Sequence, residues 1–212
     1  MSARRALGLA VADLYQNSWR LVPINVAFGA VIVFAAVAAV AVHALLVLAV
    51  LGGPLAVALA HSSVTLVRTG NLALADAWDG LRMYWRRGLA LGAAGVALGV
   101  FAAFAVHFYL RLSFGWPFAF VTLYLVVLLG IYGAVLTTVA VADPELPLRL
   151  AARSAATMGA QRPGPTLLLG LVLLLVNLAG VAAAVMPFLT ITLAYSFVAV
   201  AHFVLPVEAR EV

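Results

Sequence analysis

Residues 84–111 read YWRRGLALGAAGVALGVFAAFAVHFYLR, an uncharged and mostly apolar run from Gly88 to Leu110 with arginines directly before and after it. An α-helix of this length spans about 34 Å, enough to cross a hydrocarbon core of roughly 30 Å. Similar runs recur along the chain, in which 67% of residues are hydrophobic and 9% are charged. A water-soluble domain of 212 residues cannot bury so large an apolar fraction. The sequence therefore predicts an integral membrane protein.

The other apolar runs extend this pattern to six candidate spans. We predict a single membrane domain over residues 1–212, an all-α polytopic helix bundle in which six transmembrane helices form three hairpins. The predicted spans are about 21–42, 44–67, 88–110, 117–142, 165–186 and 187–205. Short cytoplasmic amphipathic helices are expected in the remaining segments, which are residues 1–20, 68–87, 143–164 and 206–212.

The charged residues predict the orientation. Eleven of the twelve basic residues fall in those four segments, and only Arg111 falls on the other side. Short cytoplasmic loops retain arginine, so both termini are predicted to be cytoplasmic. All seven carboxylates lie on the same side, which disfavours a pump driven by an intramembrane carboxylate. The net charge of +5 predicts anionic lipid headgroups, and not nucleic acid, as the partner of this face.

Two of the cytoplasmic segments resemble each other, LAVADLY at residues 9–15 and LALADAW at residues 72–78. In the second, apolar side chains recur on one helical face through Trp85, and Asn71 is predicted as the N-cap. Such a helix is expected in the headgroup region, either as an anchor for the next hairpin or as a docking surface. The candidate partner or lipid contacts are Trp78, Arg82, Trp85, Arg86, Arg87, Arg149 and Arg153.

A stripe of glycines follows one face of the third span. It consists of Gly88, Gly92, Gly95 and Gly99. Small residues at this spacing let helix backbones approach closely within a bilayer. The stripe predicts close helix packing, either within the monomer or at a dimer interface.

The second span contains a sequence that disfavours a regular helix, Gly52-Gly53-Pro54. Proline removes a backbone donor, so these residues are predicted to form a hinge or the turn of the first hairpin. If they form the turn, the first span is longer and the second is shorter, with the same topology.

Few polar side chains fall within the predicted spans. Asn25, His61, Asn177 and His202 are the candidate intramembrane polar residues, and His43 and His107 are expected near the outer surface. Buried amides and imidazoles need partners, and helix pairing meets this need. A second set of hydroxyls either bonds its own helix carbonyls or lines a path for a neutral solute. That set is Thr137, Thr138, Thr190, Thr192, Tyr195 and Ser196.

Sequence patterns for catalysis are missing. The chain has no cysteine, and it holds no serine–histidine–aspartate set, paired carboxylates, phosphate-binding loop or HExxH motif in a plausible context. We therefore predict no enzyme activity, no cofactor and no metal site.

The order of features resembles the YesL-like family of bacterial integral membrane proteins, a domain of unknown function. The resemblance covers most of the chain and is carried by Trp19-Arg20 and Asn25, by Gly53-Pro54, and by Val67-Arg68-Thr-Gly70. It continues through Trp78, Tyr84-Trp85-Arg86-Arg87-Gly88, Asp143, Leu148-Arg149 and residues 151–158. The chain departs from the pattern between Asn25 and Gly53, where its apolar stretch is longer.

This resemblance implies a multi-pass protein of the bacterial plasma membrane, in a family associated with carbohydrate uptake. It implies an accessory or assembly subunit beside a sugar permease, with the arginine-rich helices as the contact surface. Two alternatives remain, a stand-alone transporter or channel for a small uncharged solute and a lipid-organising membrane scaffold.

Overall fold

The computed structural model describes residues 2–41, 49–183 and 185–205, and within these ranges it contains helices and turns but no strand. The elements delimited within the described residues are seven α-helices and one π-helical turn. They are α1 Ala3–Ala41, α2 Gly52–Thr69, α3 Leu74–Leu110, α4 Trp116–Ala142, α5 Leu148–Gln161, α6 Pro163–Ala182, the π-helical turn Phe188–Thr192, and α7 Leu193–Val204. The predicted all-α fold is confirmed.

Four segments in the described ranges are long and apolar enough to cross a membrane. They are Ala3–Phe34 within α1, and the helices α3, α4 and α6. A shorter apolar segment, Phe188–Val204, comprises the π-helical turn and α7. These lengths and compositions indicate a membrane protein.

Helices α2 and α7 form the centre of the bundle. Helix α2 packs against α1, α3, α4 and α7, and α7 also packs against α1 and α4. Many of the side chains that α2 buries are small, among them Ala58, Ala60, Ser62 and Ser63. Small side chains allow several helices to approach one helix at once. Helix α5 packs on α4 and α6 at the periphery.

Helix α1 is interrupted near the start of the first predicted span. Asn17 has non-helical dihedral angles, φ −111° and ψ 16°, and its side-chain amide donates to the carbonyl of Asp13. The preceding segment buries only a narrow face, through Ala3, Ala6 and Ala10. The kink therefore separates an amphipathic N-terminal segment from the part of α1 that continues as a long apolar helix.

The predicted separation of segment 68–87 from the span 88–110 is wrong. Helix α3 runs without a break from Leu74 to Leu110, 37 residues, or about 55 Å. Arg86 and Arg87 mark a change of environment, but charge does not end a helix, and Gly88 is tolerated within one. The amphipathic segment is thus one end of a long helix and not a separate element.

The predicted N-cap at Asn71 is also wrong. The cap of α3 is Ala73, whose N–H donates to Asp76 Oδ2 at 2.7 Å. Asn71 lies in the preceding turn, where its side-chain oxygen accepts a hydrogen bond from the Leu72 N–H. That turn follows Gly70, whose left-handed φ of 69° ends α2.

Helix α2 begins later than the predicted second span, 44–67, and ends two residues beyond it. Helix α2 begins at Gly52, after a turn at residues 50–51. Pro54 falls in its first turn, where a missing N–H costs no helical hydrogen bond. Residues 42–48, which include His43 and the predicted turn of the first hairpin, lie outside the described residues, as do residues 206–212.

The last two predicted spans meet at a tight return. Helix α6 ends at Ala182, short of the predicted residue 186, and the π-helical turn begins at Phe188. Val185 takes a left-handed φ of 68° between them, a strained conformation for a β-branched residue. Gly180 lies so close to Phe188 and Thr192 that a Cβ atom there would be 3.0 to 3.1 Å from them.

Candidate functional site

The N-terminal part of α3 exposes aromatic and basic side chains on one side. Trp78 is 66% exposed and Trp85 is 47% exposed, and Arg82 and Arg86 are exposed beside them. The guanidinium carbon of Arg86 lies 5.3 Å from the centroid of the Trp85 ring, a cation–π contact. We call these four residues the α3 surface. Arg149 and Arg153 are exposed on α5.

Arg87 has a different role from its neighbours. Its Nη1 donates to the Ala140 carbonyl at 2.7 Å and its Nη2 to the Pro144 carbonyl at 2.5 Å. Arg68 of α2 donates to the Ala142 carbonyl at 2.8 Å, and the Tyr84 hydroxyl donates to Val141 at 3.2 Å. The last carbonyls of a helix lack helical partners and carry partial negative charge. Residues of α2 and α3 therefore cap the C-terminus of α4.

Another arginine joins α1 to the turn before α3 at one end of the bundle. Arg20 of α1 donates from Nη1 to the side-chain oxygen of Asn71, in the turn before α3. Its guanidinium carbon lies 4.3 Å from the centroid of the Trp19 ring. Both contacts hold the guanidinium in one orientation.

The glycine stripe divides into two parts. Gly88 and Gly92 lie against α2, and a Cβ atom at Gly88 would be 2.5 Å from the Cα of Pro54. A Cβ atom at Gly53 would overlap the backbone of Gly88 and Gly92. Helices α2 and α3 therefore cross in direct backbone contact, with Gly53 and Pro54 on the α2 side.

The remaining two glycines of the stripe lie outside this crossing. A Cβ atom at Gly95 or at Gly99 would have no atom of the described residues within 4 Å, apart from its own helix and chain neighbours. Gly52 is equally open, and its backbone begins α2. The crossing thus uses only the half of the stripe nearest the N-terminus of α3.

Asn25 is fully buried and holds the π-helical turn. Its Nδ2 donates to the carbonyls of Phe188 at 3.0 Å and Leu189 at 2.5 Å, and its Oδ1 accepts from the Ala194 N–H at 2.6 Å. A π-helical turn leaves backbone groups without their usual i→i−4 partners. One amide side chain of α1 thus satisfies backbone groups of both the turn and α7.

Asn177 joins α6 to α7 beside an apolar cavity. Its Nδ2 donates to Ser196 Oγ at 2.7 Å and to the Leu173 carbonyl, and its Oδ1 accepts from Thr192 Oγ1 at 3.1 Å. The cavity lies among α4, α6 and α7 and has a volume of about 370 Å³. Of its lining residues only Asn177 and Ser196 are polar, and both are engaged with each other.

The hydroxyls of the predicted polar path mostly bond their own helices. Thr137, Thr138, Thr190 and Ser196 each donate to the carbonyl four residues earlier. The Tyr195 hydroxyl donates to the Leu7 carbonyl of α1 at 3.5 Å. These groups therefore contribute to helix contacts and present few free donors.

The three described histidines differ in their surroundings. His61 stacks at an angle on Tyr84, with ring centroids 5.6 Å apart, and packs against Gly80. His202 is buried near the end of α7, and its Nε2 lies 2.6 Å from Asp13 Oδ2 of α1. His107 is exposed near the end of α3.

Three of these features were not predicted from the sequence: the α4 cap, the Arg20–Asn71 bridge and the Asp13–His202 pair. Each joins residues that are 51 to 189 positions apart. One local signal exists for the pair, since Asp13 interrupts an apolar run from Ala6 to Ala12. It indicates that Asp13 needs a partner but not which one.

The chain matches no protein-family model. Comparisons with curated proteins and with solved structures also give no match.

Proposed function

We propose that this protein is an accessory subunit of a membrane permease in the bacterial plasma membrane. In this proposal it crosses the membrane six times with both termini in the cytoplasm. It binds the permease through the α3 surface and does not itself form the transport path. The resemblance to the YesL-like family adds carbohydrate as the proposed class of transported solute.

The proposal depends chiefly on how polar groups are used inside the bundle. The amides and hydroxyls described above bond one another or backbone groups of the bundle. A path for a neutral sugar needs several convergent donors and acceptors that are free to replace water. The cavity among α4, α6 and α7 offers mainly apolar side chains, which favours a supporting role over transport.

The α3 surface has the composition of a binding surface. Tryptophan and arginine are enriched at the energetic centres of protein interfaces. Arg82 and Arg86 form no ion pair among the described residues, whereas Arg87 is occupied by the α4 cap. Exposed tryptophans in the headgroup region would also contact lipid, so the proposed partner is one that reaches this region from the membrane.

Site-directed crosslinking tests this proposal. A photoreactive amino acid replaces Arg82, or Phe104 as a control, since Phe104 is exposed farther along the same helix. We expect the label at position 82 to capture one membrane permease in cells and the label at position 104 to leave it uncaptured. Arg82→Glu should reduce co-purification of that permease, while Arg111→Glu, an exposed arginine at the other end of α3, should not.

Two results would replace the proposal. Solute flux into vesicles containing only this protein would favour the stand-alone transporter. Equal crosslinking to many proteins, with a distribution that follows anionic lipid, would favour the scaffold.

The topology can be tested independently because the chain has no cysteine. Single cysteines at Ser2, Ser113 and Gly159 serve as reporters, and all three positions are described. With both termini inside, a membrane-impermeant maleimide should label Ser113→Cys in intact spheroplasts. It should label Ser2→Cys and Gly159→Cys only after lysis, and labelling of Ser2→Cys before lysis would refute the orientation.

A further inference from the structure

An apolar groove of about 260 Å³ separates α1 from the N-terminal part of α3. Its lining is apolar throughout and comprises Pro23, Ile24, Ala27 and Phe28 of α1 and Leu74, Ala77, Trp78 and Leu81 of α3. The two helices make few contacts elsewhere. The groove is therefore a slot between two helices that are joined at one end.

The joined end is the Arg20–Asn71 bridge. Arg20 precedes Pro23, the first groove residue of α1, by three residues, and Asn71 precedes Leu74, the first groove residue of α3, by three. The bridge is therefore close in sequence to the start of the groove lining on both helices. The bridge uses Nη1 of Arg20. A guanidinium has five N–H donors, so the others remain for a second acceptor. Arg20 forms no ion pair with any carboxylate of the described residues.

Charge then identifies the class of ligand. A partly buried guanidinium without a carboxylate favours an anion, and guanidinium is well matched to phosphate oxygens. An apolar groove leading away from it favours a hydrocarbon chain. Groove residues from Ile24 to Phe28 carry no charge. Asp76 and Asp79, the nearest carboxylates in sequence on α3, are not among the residues lining the groove.

We propose that this groove binds one anionic glycerophospholipid. Its phosphate contacts the Arg20 guanidinium, and one acyl chain lies along Ile24, Ala27 and Trp78. On the proposed orientation Arg20 is at the inner end of the first span, so the lipid belongs to the inner leaflet. The lipid covers one side of Trp78 and so adjoins the α3 surface.

Quenching of tryptophan fluorescence tests the site directly, because Trp78 lines the groove. The purified protein is placed in phosphatidylcholine vesicles that contain a few mole per cent of phosphatidylglycerol with brominated acyl chains. The reference vesicles contain the same amount of brominated phosphatidylcholine. We expect greater quenching by brominated phosphatidylglycerol, and we expect Trp78→Phe to remove most of the difference.

Two variants and one control test the two parts of the site, the Arg20–Asn71 bridge and the apolar groove. Arg20→Gln should weaken the preference for phosphatidylglycerol by about tenfold, the loss of one charge-assisted hydrogen bond. Arg153→Gln removes an exposed arginine on α5 and should leave the preference unchanged. Ala27→Phe fills the groove without altering the bridge, and it should reduce quenching even if Arg20→Gln does not fold.

Several outcomes would overturn the proposal. Equal quenching by both brominated lipids, or a preference that survives in Trp78→Phe, would show that no selective site lies at this groove. Displacement by millimolar glycerol phosphate would indicate an anion site without a role for the groove. The assay contains no permease, so its failure is distinguishable from failure of the accessory function.

Discussion

Helices α2 and α3 pack against each other, yet they differ in burial and in composition. Ten of the 18 residues of α2 are buried, compared with five of the 37 residues of α3. Nevertheless α3 is among the helices apolar enough to cross a membrane, and α2 is not. Lipid-facing surfaces must be apolar, whereas helix contacts inside a membrane protein use small and hydroxyl residues. In this chain, high hydropathy therefore marks the exposed helix α3 and not the central, buried helix α2.

The largest expected effect tests the backbone crossing that joins the two helices. Gly53→Leu places a side chain where even a Cβ atom overlaps the backbone of α3. We expect a loss of more than about 3 kcal/mol in the free energy of unfolding. Gly95→Leu, on the open part of the stripe, should change it by less than about 0.5 kcal/mol. Thermal unfolding in mild detergent, followed by circular dichroism, measures both.

Similar losses for the two glycine variants would contradict the division of the stripe. A large loss for Gly95→Leu that depends on protein concentration would instead assign that glycine to a dimer interface.

A smaller effect is expected for the polar contact between the first and last helices. Asn25→Leu removes three hydrogen bonds and leaves the bonded backbone groups of Phe188, Leu189 and Ala194 without them. We expect a loss of about 2 kcal/mol, because unsatisfied groups are costly but can relax within the bilayer. Val26→Leu, at the next and more exposed position, serves as the control. If hydrogen exchange of the π-helical turn is equal in both variants, Asn25 does not hold it.

The α4 cap should contribute less. Arg87→Met removes two hydrogen bonds to carbonyls at the end of α4 and should cost about 1 kcal/mol. Arg86→Met removes the same charge from an exposed arginine and should cost less than about 0.5 kcal/mol. Thermal unfolding measures the free energy of unfolding of both variants. The difference between the two values gives the contribution of the cap without the general effect of removing a charge. Equal costs would mean that the cap adds no stability.

The smallest effect is expected at an exposed position in the C-terminal half of α3. Phe104 is 72% exposed, so Phe104→Leu exchanges one lipid-facing apolar side chain for another. We expect a change below about 0.5 kcal/mol in unfolding free energy. By contrast, truncation of a buried central side chain in Leu59→Ala should cost about 2 to 5 kcal/mol. A large loss for Phe104→Leu would show that this face is covered by protein.

The contrast between α2 and α3 also explains which parts of the fold were predictable. Helices α3, α4 and α6 were found because their lipid-facing residues produce long apolar runs. The span boundary predicted at Gly88 is not the start of a helix, because α3 runs through Arg86 and Arg87 from Leu74 to Leu110. No local pattern distinguishes a helix that changes environment from one that stops. The end of α5 does carry a local signal, because Pro163 lies two residues after Gln161 and a new helix begins there.

The candidate site was predictable only where exposure follows from periodicity. Trp78, Trp85 and Arg82 are exposed, as expected from an amphipathic segment. Arg87 lies next to Arg86 in sequence, but its side chain extends from a different face of α3 and bonds the end of α4. Asn25 was expected to need partners, and its partners are more than 160 residues away. Residue type indicates that a polar group must be satisfied, while tertiary packing decides where.

The contacts between α1 and the end of the chain have a consequence for biosynthesis. Asn25 bonds residues 163 to 169 positions later, and Asp13 bonds His202 at a separation of 189. Ribosomes deliver the N-terminal helix first. It must therefore remain in the membrane with an unpaired amide until residues 188–204 arrive. Residues 188–204 supply these partners, so a nascent chain halted before residue 188 carries an amide in α1 that lacks the hydrogen bonds it makes in the folded bundle.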